Sequence, residues 1–550
     1  MGYDDLAGFI PTIRDYGLGA GAGVGGRVGF AGCSKGGDPA LFYEFRNMSE
    51  VRAALNIGPA VEQLEDLFDE GFSAEDRELN VQSVIYREIS KAGITIGTEA
   101  CDFTGVTGVS TWAVGGVGGA SLPALDRTYG ILITRGCNLL NDNTAQYLIC
   151  RNYDVVDVNH RVWEGPYTMI SDGAGNVVIY LETPGAPGPT IDGATFGAGD
   201  LVVGDLIIVT HTAPVPTVAL TETAIQNLVE WRDPLGLPIG GTSDITMIGT
   251  DQPRAAATWD EIHQIATDEW NNNFNPSWIV FSVPQCGKTG APLIYDIAVW
   301  ILLNEGSSNV YRGATIPGNN LLNGAISVSA IWALRQTSVG VPGGQNAMIV
   351  RHQAGAILGQ AARARWHWDI GWLKKFNLKR TTYIYPWNSD LDNMTFDGVN
   401  EAERRTSLLN NQHFLMAWPR VGYLRRICVD SFWAMCDNLS DYFKQPYYRI
   451  VGATQVVLRI WFNNYVRAPG LSSNDAAFLE SACNAEVIRP RIVDPKRPAD
   501  PIIKPYDNAY VDIWAEPDVL ITEVFNYGLR IVPTGSLHQL TGWTQLVRSL

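Results

Sequence analysis

No run of five or more basic residues occurs in this 550-residue chain. Asp and Glu outnumber Lys and Arg by 57 to 40, a net charge of −17. A surface of that sign repels phosphate backbones, so direct nucleic-acid binding is disfavoured. No apolar run approaches the roughly 18 residues of a membrane span. The most apolar stretch, Ala291 to Leu303, is short and carries Asp296. The first residues, MGYDDLAGFIPTIRD, lack the basic region and apolar core of a secretory leader, and position six is Leu6 where a myristoylation site wants Ser or Thr. The expectation is a soluble chain made in a cytoplasm, with no direct contact to nucleic acid or membrane.

Signatures of chemistry are missing as well. The eight cysteines (Cys33, Cys101, Cys137, Cys150, Cys286, Cys428, Cys436, Cys483) form no CxxC and no Cys/His metal spacing. The seven histidines never pair at metal-ligand spacing, and His367, between Trp366 and Trp368, reads as structural. There is no GxSxG. Gly21 to Gly26 fits GxGxxG, but a dinucleotide site needs a strand before it and a helix after it, and here a strand follows. Cys286-Gly287-Lys288-Thr289 echoes the end of a phosphate-binding loop, yet Ser282 stands where that loop needs its first glycine. The expected catalytic, cofactor and metal residues are therefore none.

What the chain does have is length and glycine. Its 46% hydrophobic and 18% charged residues suit a globular protein with a large core, and 56 glycines with 17 tryptophans suit a turn-rich, β-rich one. Residues 1–18 read as an extended arm with alternating apolar residues, and Gly19 to Gly26 as a flexible joint. A strand follows from Arg27 to Cys33. A short helix, Ser49 to Leu55, is stopped by Asn56-Ile57-Gly58. Pro59 then opens a helix over Ala60 to Asp69 with one apolar face of Val61, Leu64, Leu67 and Phe68, closed by Gly71. The β-branched cluster of Ser83 to Ile89 reads as a strand.

From Cys101 to Pro216 Gly, Thr, Val and Pro dominate. Strands are expected at Tyr129–Thr134, Gln146–Cys150, Tyr167–Ile170, Val177–Leu181 and Leu206–Thr210, separated by turns such as Asp172-Gly173 and Asp192-Gly193. Helix and strand alternate afterwards. Helices are expected from Thr258 to Asn271, Leu293 to Asn304 and Asn346 to Arg363, with a buried strand at Trp278–Val283. A further helix holds Ile450, Ala453, Thr454, Val457 and Trp461 at 3/4 spacing. Asp475 to Cys483 is the last, short helix. Near the end, Ile521, Glu523, Phe525, Tyr527, Leu529 and Ile531 alternate as a strand, broken by Pro533-Thr534-Gly535. The fold class is α+β: a mixed core, an inserted all-β domain and extended terminal arms. The expected divisions are 1–18 (arm), 19–100 (core), 101–245 (β-rich insertion), 246–533 (core) and 534–550 (arm).

Two regions together resemble the contractile tail sheath proteins of bacteriophages and related injection machines. The first is RVGFAGCSKGGDPALFYEFRNMSEVRAALNIGPAVEQLEDLF, residues 27–68, with its opening strand and a Gly58-Pro59 helix reaching Phe68. The second begins at Tyr423. Leu424 to Asp430 is similar to the strand before that family's helical region, Asp441-Tyr442 to Trp461 to its helix, and Asp512 to Pro533 to its closing strand pair. The insertion lies outside the resemblance.

The resemblance implies a structural subunit, not an enzyme. Such subunits form stacked hexameric rings around an inner tube and contract to drive that tube through a host envelope, with no cofactor. Terminal arms would add strands to sheets of neighbouring copies, hinged at Gly19, Gly21, Gly23, Gly25, Gly26, Pro533 and Gly535. The accepting strand would hold Ile521, Glu523, Phe525, Tyr527, Leu529 and Ile531. Asp475, Phe478 and Glu480 would face the tube, and the insertion would lie outside. Partners would be further copies, the tail tube protein, and baseplate and terminator proteins, in a virion tail assembled in the host cytoplasm. The cysteines are either buried thiols or, for Cys33, Cys101, Cys137, Cys150 and Cys483, sites of inter-subunit disulfides formed after release. Two rivals remain: another self-assembling tail or baseplate protein, and an acidic β-rich glycoside hydrolase with carboxylates roughly 5–10 Å apart.

Overall fold

The computed structural model describes residues 27–73, 80–91, 98–105, 112–114, 125–138, 145–151, 153, 161–168, 170–171, 177–178, 181, 194–196, 200–231, 246–251, 265, 268, 277–282, 327–330, 332–339, 341, 347–364, 368–372, 375–384, 415–418, 426–429, 445–463, 475–493, 508–515 and 525–532. The expected arms, the Gly19–Gly26 joint, the Pro533–Gly535 break and the helix Leu293–Asn304 lie outside these residues, as does nearly all of the helix expected from Thr258 to Asn271.

The first described strand, Arg27–Gly32 (β1), is buried almost throughout. Such a strand belongs inside a parallel sheet covered on both faces. It sits in a six-stranded sheet with Phe42–Phe45 (β2), Ser83–Glu88 (β3), Thr246–Thr250 (β4), Ser277–Ser282 (β5) and Ser327–Ala330 (β6), in the order β6-β5-β4-β1-β3-β2. Every neighbouring pair is parallel except the antiparallel edge β2–β3. The mixed core thus has a doubly wound parallel sheet at its centre, whose strand order reverses direction between β1 and β4.

Local chemistry explains the first helices. In Met48–Leu55 (α1) the Asn47 side chain accepts the Glu50 N–H, and Glu50 reaches back to the Arg46 N–H at 2.7 Å. Together they occupy donors that a helix start leaves bare. Pro59–Glu70 (α2) starts on a proline whose missing N–H costs nothing there. Gly58 before it has φ +150°, and a Cβ would lie 2.6 Å from Ser34 Cα, so no other residue fits.

Residues 98–212 lie between β3 and β4 in the chain. They include a five-stranded antiparallel sheet built from Thr98–Gly105, Leu206–Thr212, Arg127–Arg135, Gln146–Cys150 and Glu164–Thr168, in that order. A helix not foreseen from the sequence, Val218–Glu230 (α3), follows within the range expected to be β-rich. Its Thr221, Ala224, Ile225, Leu228 and Val229 are buried, and it packs on β1, β3 and β4. Valine and threonine dilute its helical pattern, while Thr217 caps it through the Leu220 N–H.

The helix expected over Asn346–Arg363 is only half present. Ala347–His352 (β8) is a strand paired with Trp332–Thr337 (β7), which also pairs with Thr381–Ile384 (β9). The helix proper is Ala354–Arg363 (α4). Ile349 and Val350 favour a pleated strand, and tertiary pairing decides against the helical period. In α4, Gly355 and Gly359 let the helix meet α2 at backbone distance. A Cβ on them would stand 2.0 Å from Gln63 O and 2.4 Å from Leu67 O.

The apolar face expected for α2 is buried, with Val61, Leu64 and Leu67 at 0% exposure. Its acidic face is buried too, against the β7–β8–β9 sheet. Asp66 Oδ1 accepts from Arg335 Nε at 3.0 Å and Asp66 Oδ2 from Arg351 Nε at 2.8 Å. Glu70 pairs with Arg335, Glu62 with Arg127, and Glu65 with Arg380, Thr337 and Ser338. Burial works to raise the Glu65 carboxyl, and the Arg351 charge with the Ser338 and Thr337 hydrogen bonds outweighs it, leaving Glu65 below its ordinary value. At Glu62 burial prevails over Arg127, and the carboxyl is raised.

The long helix Gln445–Asn463 (α5) runs from this core to the C-terminal elements. Tyr448 donates to the carbonyl of Ser277, the first residue of β5, at 2.9 Å, and Arg449 to the Ala364 carbonyl at 2.8 Å. At its far end Trp461 donates to Glu486 at 3.0 Å, and the Phe462 ring packs on Tyr527. Arg426–Val429, which the resemblance implies is a strand, pairs with Leu415–Trp418, so the helical pattern that begins at Arg426 in the sequence is a strand at its start.

Candidate assembly surface

The C-terminal elements carry most of the described residues that the sequence marks for contact with other copies. Asp475–Cys483 (α6) forms as expected and continues into a π-helical segment, Asn484–Val493. Asn508–Ala515 (β10) and Phe525–Val532 (β11) then form an antiparallel two-stranded sheet in register, Asn508 opposite Val532 and Ala515 opposite Phe525. Phe525, Tyr527, Leu529 and Ile531 thus lie in a strand as expected, while Ile521 and Glu523 fall outside the described residues. Val511 and Ile513 face inward, buried against α6 and the π-helical segment. Tyr510 and Trp514 face outward at 42% and 48% exposure, and the Trp514 ring lies over Gly528.

Two polar side chains bind the hairpin from α6 and its extension. Asn484 Nδ2 donates to Val511 O at 2.7 Å, and Val511 N–H donates to Asn484 Oδ1 at 3.0 Å. Its carboxamide therefore meets Val511 much as a neighbouring strand's peptide would. Ile513 N–H donates to Glu480 Oε2 at 3.1 Å, and the Tyr510 hydroxyl donates to Glu480 Oε1. The Tyr510 hydrogen bond and the Ile513 amide hold the Glu480 carboxyl below its ordinary value, and the same bond pushes the Tyr510 phenol up to about 12.

These contacts fix which way the hairpin's backbone points. In an antiparallel pair each residue turns its N–H and C=O to one side, the side alternates along the strand, and opposed residues share the same state. Val511 spends both groups on Asn484, so they point away from β11. Leu529, opposite Val511, therefore turns its own pair away from β10, and Ile531, opposite Ala509, does likewise. Among the described residues no strand pairs with that side of β11.

Of the residues expected to face a tube, Phe478 is 63% exposed and points off α6. Asp475 sits in the first turn, and Glu480 is committed to the hairpin. Cys33, Cys150 and Cys483 are buried, and burial pushes the Cys483 thiol up to about 12. Cys101 and Cys137 lie in strands of the 98–212 segment. The hinge residues Gly19, Gly21, Gly23, Gly25, Gly26, Pro533 and Gly535 lie outside the described residues. Asn484 was missed by the sequence reading. Its only signal is an amide at the end of a helical pattern, and nothing in sequence spacing joins it to Val511.

The place where doubly wound sheets hold ligands, the carboxyl ends of the strands at the reversal of order, is filled by the chain itself. Cys33 N–H donates to Asp251 Oδ2 at 3.1 Å across the ends of β1 and β4. Ser34 donates to Glu88 from its N–H at 2.8 Å and its hydroxyl at 2.6 Å, and the Tyr86 hydroxyl joins the same carboxylate. Ala60 closes over Gly32, whose added Cβ would stand 2.7 Å away. Among the described residues no group of three metal-ligating side chains converges, and no helix is long and apolar enough to cross a membrane.

No family model matches the chain, and no curated protein matches it. Among solved structures, a sheath tail protein from Listeria innocua is a neighbour at 11% sequence identity, covering 96% of this chain and 98% of its own, with a TM-score of 0.43. At that score the likeness decides neither fold nor function.

Proposed function

We propose that this chain is the structural subunit of a contractile tail sheath. Copies assemble as stacked hexameric rings around an inner tail tube, and the extended lattice stores the free energy that contraction releases to drive the tube through a host envelope. The observation that carries the reading is the β10–β11 hairpin. It overlaps residues 512–533, which resemble the closing strand pair of sheath proteins, and its Leu529 and Ile531 turn backbone groups toward an edge that no described strand pairs with. That edge suits an added strand. The Gly58-Pro59 helix, the second carrier of the resemblance, is anchored by buried ion pairs, as suits a rigid body that moves without deforming.

On this reading residues 1–18 and 534–550 are the arms, and the Gly19–Gly26 and Pro533–Gly535 segments are their hinges. The 101–245 segment decorates the outside, and α6 turns Phe478 toward the tube. Partners are further copies, a tail tube protein, and baseplate and terminator proteins at the ends. The chain acts in a virion tail assembled in the host cytoplasm, as a structural protein without catalytic work. Negative-stain microscopy of the purified full chain tests this. Tubes or stacked rings are expected, and a monodisperse monomer at all concentrations overturns it.

A further inference from the structure

The end of α2 borders a cavity of about 490 Å³, a size typical of small-molecule sites. Part of its lining is apolar: Met48, Phe68 and Phe72, the two rings 6.3 Å apart. Phe68 is buried and Phe72 is 41% exposed, so a fixed ring backs one that is left uncovered. The rest is mainly cationic. Arg46, Lys379 and Arg380 gather three positive charges on a chain whose net charge is −17, and Asp69 is the only acid of the lining.

The three cations are not equally spent. Arg380 pairs with Asp69 at 2.6 Å and with Glu65 at 3.2 Å. Burial raises the Asp69 carboxyl to about 6, so the acid of the lining is weak as well as answered. Lys379 donates to the Asp69 and Phe72 carbonyls, covering a helix end that would otherwise repel an anion. An ammonium has three donors, so one is left over. The Arg46 guanidinium has no partner among the described residues. We propose that this cavity binds a carboxylate carried on an aromatic group, with Arg46 and Lys379 holding the carboxylate and Phe72 stacking on the ring. The planar fork of arginine meets a carboxylate at two points. An apolar molecule without charge, or a small anion without a ring, would use only half of the lining. The same chemistry comes from two sources, a free small molecule or a polypeptide ending in phenylalanine. Nothing in this assignment depends on the sheath reading.

Fluorescence titration of the full chain with naphthoate, an aromatic carboxylate, reads the site. Saturable binding is expected. Naphthalenemethanol, which keeps the rings and lacks the charge, should bind at least about tenfold more weakly. Arg46→Gln is expected to weaken naphthoate at least about tenfold, and Phe72→Ser about threefold or more. Both side chains are exposed, and an unchanged unfolding midpoint shows that each variant is folded. Should one shift it, the comparison of acid and alcohol on the wild-type chain decides instead. Phe478, 63% exposed, does not line the cavity, and Phe478→Ser is expected to bind naphthoate like wild type. N-acetylphenylalanine separates the sources. Binding at least as tight as that of naphthoate assigns the site to a chain end, and weaker binding assigns it to a free molecule. Naphthoate that does not saturate overturns the proposal, as does alcohol binding equally well or Arg46→Gln keeping full affinity. So does a Phe478→Ser loss equal to that of Phe72→Ser, which would mean adsorption to any exposed ring. Assembly is read separately by microscopy, so failure here leaves the sheath reading standing.

Discussion

Asp66 and Arg351, 285 residues apart in sequence, meet in a two-point ion pair whose side chains are 0% and 3% exposed. The contact joins the acidic face of α2 to β8, and Arg335 on β7 shares the same carboxylate at 3.0 Å. Removing one partner of such a pair leaves a buried charge without compensation. Asp66→Ala is therefore expected to lower unfolding free energy by about 3–5 kcal/mol. Combining it with Arg351→Met should cost less than the two single changes summed. Urea denaturation of the four proteins measures both, and additive losses would mean that the pair is not coupled.

Two carboxylates on the same helix are expected to respond to pH in opposite directions. Burial, partly offset by Arg380, raises the Asp69 carboxyl to about 6 from an ordinary 3.8. Its folded form binds the proton more tightly than the unfolded chain, so stability falls as pH rises from about 4 to about 6. Glu65 is held below its ordinary value. Its contribution is present above that value and is lost as pH falls through the folded pKa. At pH 7, Asp69→Asn should therefore stabilise by up to about 1–2 kcal/mol. The full shift of about 2 units corresponds to about 3 kcal/mol, reduced here because the side chain is about a quarter exposed. Glu65→Gln should destabilise. Denaturation midpoints at pH 5 and pH 7 check the signs, and a loss of stability for both variants at pH 7 would refute the assignment for Asp69.

The contact between α2 and α4 leaves no room for a side chain. A Cβ at Gly355 would stand 2.0 Å from the Gln63 carbonyl oxygen, and one at Gly359 2.4 Å from that of Leu67. Both obstacles are backbone, so the helices themselves must separate. Gly355→Ala and Gly359→Ala are each expected to cost about 1–3 kcal/mol as overpacking, although alanine favours an isolated helix by about 1 kcal/mol. Thermal unfolding measures the sign. A stabilised Gly355→Ala protein would show that the helices stand further apart.

These residues also mark how far the sequence was legible. The proline start of α2, the stop at Asn56 to Gly58, the strand of Ser83 and the α6 helix are local decisions, governed by caps, breakers and β-branching within a few residues. They appeared where the sequence placed them. The strand Ala347–His352 did not, because its pairing with Trp332–Thr337 overrides a helical spacing that continues into α4. The acidic side of α2 reads as solvated by any local rule, and its burial rests on partners far along the chain, Arg127, Arg335, Arg351 and Arg380. The strand Phe525–Val532 was legible from its alternation. The clamp on its partner was not, since Asn484 and Val511 are joined by a fold in space and by no pattern in sequence.

The proposed arms give the most direct prediction. The described core begins at Arg27, after residues 1–18 in the chain. If those residues serve to link copies, their loss should leave stability nearly untouched and remove polymerisation. The chain lacking 1–18 is expected to keep its unfolding midpoint within about 0.5 kcal/mol of wild type, the range of changes away from the core, and to sediment as a monomer where the full chain forms particles. A large loss of stability would place the segment in the core of its own subunit. Normal tubes from the shortened chain would refute the arm assignment, because an edge such as that of Leu529 and Ile531 would then be filled by some other segment.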